Sequence, residues 1–158
     1  MKRKQFTPIE ESPLDPTKRQ KSSRHRILVV DDSNSVRQLK VDLLVGSGYD
    51  VEEARDGADG WEALQTGHYD LIITDNTMPR MTGVEMIEKL RSASMTVPVI
   101  MATGLLPVFV FSRKPWLKPD VALTIPFSDN DLLAAVKRIL DKDDGDDLPP
   151  ATLLPKHL

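Results

Sequence analysis

The sequence predicts an α/β fold, a parallel sheet covered on both faces by helices. Two observations predict it. Short apolar runs alternate with helical patterns from about residue 25 to 141, and right-handed crossovers turn such alternation into a parallel sheet. Two of the runs also end in carboxylates, as expected where strands deliver polar residues to one edge of a sheet.

The first strand is predicted at 26–30 (RILVV), ending at Asp31 and Asp32, and the first helix at 34–45, where Val36, Leu39 and Leu43 form an apolar stripe. A strand at 50–54 and a helix at 57–66 follow. The apolar run at 71–74 stops at Asp75, and turn residues from Asn76 to Gly83 lead into a helix at 83–91. The next strand, 98–102, runs into Thr103 and Gly104. Between 105 and 119 the prolines at 107, 115 and 119 limit any helix to about two turns. Phe109, Phe111 and Trp116 lie close together there; core filling beneath an irregular loop is the preferred reading, and a partner or dimer surface the alternative. A strand at 121–124 precedes a helix at 129–141 with Leu132, Val136, Ile139 and Leu140 on one stripe; Ser128 and Asp131 form a capping box at its start.

Composition sets the bounds. The 158 residues, 40% hydrophobic and 28% charged, suffice for one domain with a substantial core plus tails. Residues 1–24 carry seven Lys/Arg against three acids and read as a disordered basic tail; 141–158 carry two against five, and 142–158 read as an acidic, proline-containing tail. The segment between is net acidic, which disfavours nucleic-acid binding by the folded part. The absence of cysteine excludes disulfides, thiolate metal sites and a cysteine nucleophile. No run is long enough to span a membrane, and the basic start lacks the apolar core of a signal peptide, so a cytoplasmic location is expected.

Asp31, Asp32 and Asp75 carry the chemistry. An isolated Asp after a buried strand is most often a helix cap or a solvated loop residue. Three acids at one sheet edge repel one another unless a cation lies between them, and a few carboxylates, a carbonyl and waters suit Mg2+ and phosphate chemistry.

The motifs Val29-Val30-Asp31-Asp32, Asp75 with Met78-Pro79-x-Met81-x-Gly83, and Pro98 to Gly104 resemble those of a response-regulator receiver domain, in the family's order and nearly its spacing. The resemblance covers residues 25–141 and implies a doubly wound, flavodoxin-like five-stranded sheet of order 2-1-3-4-5. It further implies phosphoryl transfer to Asp75 from a sensor histidine kinase or phosphotransfer protein. Direct Mg2+ ligands would be Asp32, Asp75 and the backbone carbonyl of Thr77, with Asp31 acting through metal-bound water. Thr103 would turn its hydroxyl toward the phosphoryl group, and Gly104 would leave room for its approach. Such a module is not an enzyme beyond Mg2+-dependent self-phosphorylation and self-dephosphorylation. Pro115-Trp116-Leu117-x-Pro119 resembles a subgroup of stand-alone receivers that signal through an unknown downstream protein, and the 105–119 region could support a homodimer.

Two positions depart from the pattern. The family's lysine before a proline and an aromatic is here Ile125, before Pro126 and Phe127, so a fixed cation is lost. Lys114, Lys118 or Arg80 could reach in instead. The family's switch aromatic is here Ala122. These losses support a second reading, a pseudo-receiver that binds partners without phosphorylation. The family's Lys–Pro peptide is cis, and Ile125–Pro126 is its counterpart.

Overall fold

The computed structural model describes residues 24–142, so both predicted tails lie almost wholly outside the described residues. Its elements are β1 (Arg26–Val30), α1 (Asn34–Gly46), β2 (Asp50–Ala54), α2 (Gly57–Thr66), β3 (Leu71–Thr74), α3 (Gly83–Ser92), β4 (Val99–Thr103), α4 (Val108–Arg113), a 3-10 turn (Pro115–Leu117), β5 (Val121–Thr124) and α5 (Asp129–Lys142). The five strands form one parallel sheet of order β2-β1-β3-β4-β5, the predicted fold class and order.

Successive strand residues point to opposite faces, and because both faces are covered the inner strands β3 and β4 are buried throughout and β1 from Ile27 onward, whereas the edge strand β2 carries Asp50, Glu52 and Glu53. Leu28, Val30, Ile72, Val99 and Met101 pack on one side with Leu64, Met86, Ile87 and Leu90 of α2 and α3. Ile27, Val29, Ile73 and Ile100 pack on the other with Leu44 of α1 and Leu132, Val136 and Leu140 of α5. Truncating one of these fully buried side chains to Ala costs about 2–5 kcal/mol, so the acids at the strand ends stand on a stiff platform.

Local capping sets the helix starts. Ser33 caps α1 through the Val36 N–H, and Thr82 with Glu85 closes a capping box on α3. The predicted box on α5 is present: Asp131 N–H donates to Ser128 Oγ at 3.1 Å and Ser128 N–H to Asp131 Oδ2 at 2.9 Å. β4 starts and ends one residue later than expected, so Thr103 is its last residue.

Two expectations are corrected. On α1, Val36 and Leu39 are solvent-exposed, while Arg37, Lys40 and Leu44 are buried. The helix is turned so that two cations face inward, which is tolerable only because acids meet them there. In the 105–119 region Phe111 is buried, but Phe109 and Trp116 are 69% and 63% exposed, so only one of the three aromatics fills the core. The short α4 is consistent with the proline limit.

Candidate functional site

Strand register brings the acids together. Val30 pairs with Thr74 across β1 and β3, so Asp31 and Asp75 are each the first residue beyond that pair. The Asp75 N–H donates to the Val30 carbonyl at 3.0 Å, and the Asp31 N–H to the Ala54 carbonyl at 3.1 Å. One carboxylate oxygen from each of Asp31, Asp32 and Asp75 lies within 4.8 Å of the others. Asp31 is buried, Asp75 half-buried and Asp32 exposed, so the cluster opens to solvent on the Asp32 side. An all-oxygen donor set of this size and access fits a hard divalent cation that keeps some of its waters.

The loop after β3 is tightly closed. Asp75 Oδ1 accepts the Asn76 N–H at 2.6 Å, and its carbonyl accepts the Thr74 hydroxyl at 2.7 Å. Asn76 accepts from Gly83 N–H through its carbonyl and from Val84 N–H through Oδ1, folding the start of α3 back over the strand end. Gly83 permits this approach, since a Cβ there would collide with the Asp75 carbonyl oxygen. Thr77, whose carbonyl the resemblance assigns to the metal, is an exposed residue of this loop.

Thr103 is buried at the end of β4, and its hydroxyl makes only long contacts, 3.4 Å from the Leu105 N–H and 3.5 Å to the Leu105 carbonyl. Gly104 is not forced by crowding: a Cβ there would have nothing within 4 Å. Ile125 lies beside Thr103, its N–H donating to the Thr103 carbonyl at 3.0 Å, with 51% of its surface exposed. The Ile125–Pro126 peptide is cis.

Two candidate substitute cations are engaged elsewhere. Arg80 bridges Asp56 and Asp59 at 2.6 Å each, and Lys114 pairs with Glu88 at 3.1 Å. Arg80 has φ 64, a left-handed backbone that costs a non-glycine residue about 1 kcal/mol and that these contacts offset. At Asp56 burial raises the pKa, but the Arg80 and Asp59 N–H hydrogen bonds outweigh it and hold the carboxyl below the usual range. Asp59 is lowered chiefly by hydrogen bonds from Arg55 and Arg80.

Among the described residues, the side-chain cation that does reach the acid carboxylates is Lys40, which the sequence reading did not identify. Its Nζ lies 2.9 Å from Asp31 Oδ2, both side chains being buried. A signal existed: Lys40 lies one helical turn from Leu44 and so shares its inward face.

A family model for the response regulator receiver domain matches residues 27–137. The chain belongs to that family of two-component signalling modules. It is 36% identical over 115 residues to the alkaline phosphatase synthesis transcriptional regulatory protein PhoP of Bacillus subtilis, covering 73% of this chain and 48% of that protein. It is 34% identical over 112 residues to the transcriptional regulatory protein DltR of Streptococcus agalactiae, covering 71% and 50%. The chain thus spans about half the length of these curated relatives. Among solved structures, the chemotaxis response regulator CheY4 of Vibrio cholerae superposes with TM-score 0.68 at 32% identity, over 75% of this chain and all of that one. Response regulator TrrA of Thermotoga maritima, in complex with Mg2+ and BeF, gives 0.66 at 29% identity, over 73% and 99%. No helix among the described residues is long and apolar enough to cross a membrane.

Proposed function

We propose that this chain is a phospho-accepting receiver: Asp75 takes a phosphoryl group from the phosphohistidine of a sensor histidine kinase or phosphotransfer protein. The observation that carries this reading is the convergence of Asp31, Asp32 and Asp75 within 4.8 Å at the carboxyl ends of β1 and β3. An Asp75 oxygen attacks phosphorus, the P–O bond forms as the P–N bond to the donor histidine breaks, and the product is an acyl phosphate. Asp32, Asp75 and the Thr77 carbonyl would hold Mg2+, with Asp31 acting through a bound water; that the similar TrrA was solved with Mg2+ and BeF supports Mg2+ as the metal. Mg2+ held there would supply neutralisation of the charge that builds where an anionic carboxylate meets an anionic phosphoryl group. Thr103, at the end of β4, turns its hydroxyl to a phosphoryl oxygen and carries the change to the surface.

Output runs through protein contacts. Leu105, Val108, Phe109 and Trp116 are all more than 60% exposed and lie around α4, a suitable surface for a downstream protein or a second copy. The test is intact mass after incubation with a small phosphodonor and Mg2+. A metal-dependent gain of one phosphoryl group, lost in Asp75→Asn, is expected; retention of acid-labile phosphate by that variant refutes the assignment. Ile125 favours the second reading, a pseudo-receiver acting through partner binding alone, which gains if neither phosphodonor nor beryllium fluoride engages the site.

A further inference from the structure

A lysine facing the core of a helix is costly, because burial strips the ammonium of water without supplying apolar packing at its tip. Lys40 is 6% exposed, and its ammonium ends 2.9 Å from Asp31 Oδ2. Asp31 is in turn held in place from within the protein. Its Oδ1 accepts the Ser33 N–H at 3.0 Å, and its carbonyl accepts Arg37 Nη1 at 2.8 Å. Arg37 is itself committed to Glu53 through Nε at 2.9 Å. Of the three clustered acids, the buried one is therefore already neutralised by a side chain of α1, while Asp32 and Asp75 face the open side.

We propose that Lys40 is the resident cation of the acid cluster and sets its affinity for divalent metal: it holds Asp31 and opposes the approach of a second positive charge. This rests on the reading of the acids as a Mg2+ site. Charge at this sheet edge is thereby balanced from α1, on the β1 side, whereas Ile125 at the end of β5 supplies none. Lys40 is a positioning residue, acting through Asp31 rather than on the phosphoryl group. A purely structural ion pair would affect stability and leave metal affinity alone.

The test is Mg2+ titration by calorimetry of the wild-type protein and Lys40→Met, with Mg2+-dependent melting as a second readout. Removing a unit charge beside the site should tighten Mg2+ binding about tenfold. The metal-free variant should melt lower, since Asp31 is left buried and unpaired, and the rise in Tm on adding Mg2+ should be larger than in the wild type. Lys40→Arg, which keeps the charge, should restore wild-type affinity. Should Lys40→Met fail to fold, the pair Asp31→Asn and Asp31→Asn/Lys40→Met makes the same comparison without an unpaired carboxylate, and the double variant should bind Mg2+ more tightly. Unchanged or weaker affinity on losing Lys40, or no binding at all, overturns the proposal. Failure of phosphoryl transfer with Mg2+ binding intact would instead strike at the receiver reading.

Discussion

Gly83→Ala is expected to damage both stability and the acid site, although alanine is the better helix former. Gly83 is the first residue of α3, where a Gly→Ala change in an exposed helix would gain at most about 1 kcal/mol. Its new Cβ would collide with the Asp75 carbonyl oxygen, a backbone atom that cannot rotate away. Overpacking against a fixed group costs about 3 kcal/mol, so the net loss is about 2 kcal/mol, or about 8 °C in Tm for a domain of this size. Because the displaced carbonyl belongs to Asp75 of the acid cluster, Mg2+ affinity should fall as well. Gly104→Ala is the matched control: its Cβ meets nothing within 4 Å, and the lost freedom of the unfolded chain should leave Tm unchanged or slightly raised. Thermal melts and Mg2+ titration of the two variants check this. A Gly83→Ala protein that melts with the wild type and binds Mg2+ equally well would refute the reasoning.

Other expectations follow from the same geometry. Ile125→Lys should tighten beryllium fluoride binding roughly tenfold by adding a charge-assisted hydrogen bond; unchanged affinity and phosphoryl lifetime would mean the missing cation is immaterial. Ser128→Ala removes one bond of the α5 capping box and should cost about 1 kcal/mol in urea unfolding, with the helix otherwise intact. Asp56 and Asp59 have folded pKa values below their unfolded ones, so their contribution is full above about pH 4 and is lost as pH falls through the depressed folded values. Arg80→Ala should therefore destabilise at neutral pH, by a margin that shrinks as pH falls through the depressed folded values; a pH-independent margin would contradict the ion-pair account.

The strands and the acids were legible because they depend on local pattern. An apolar run closed by Asp31 or Asp75 reads the same in sequence and in space, and Ser128 with Asp131 is a local capping signal whose bonds form as expected. What was not legible depends on partners distant in the chain. Lys40 and Arg37 do not stand out in the sequence because long cations are rarely buried; only the fold brings Asp31 and Glu53 to them and turns Leu39 outward. Arg80 and Lys114 could not be removed as substitutes for the lost lysine until Asp56, Asp59 and Glu88 were placed beside them. The aromatic cluster divided because α4 is one short helix, which can turn Phe111 inward only by turning Phe109 out.

The most direct measurement is to trap the acyl phosphate chemically. The protein is treated with phosphodonor and Mg2+, reduced with borohydride, and digested for peptide mass mapping. An acyl phosphate is reduced to the alcohol, so homoserine should replace Asp75 and no other carboxylate, only when both donor and Mg2+ were present. Reduction at a different acid, or none at Asp75 under conditions where the intact mass shows phosphate bound, would contradict the assignment of Asp75 as acceptor.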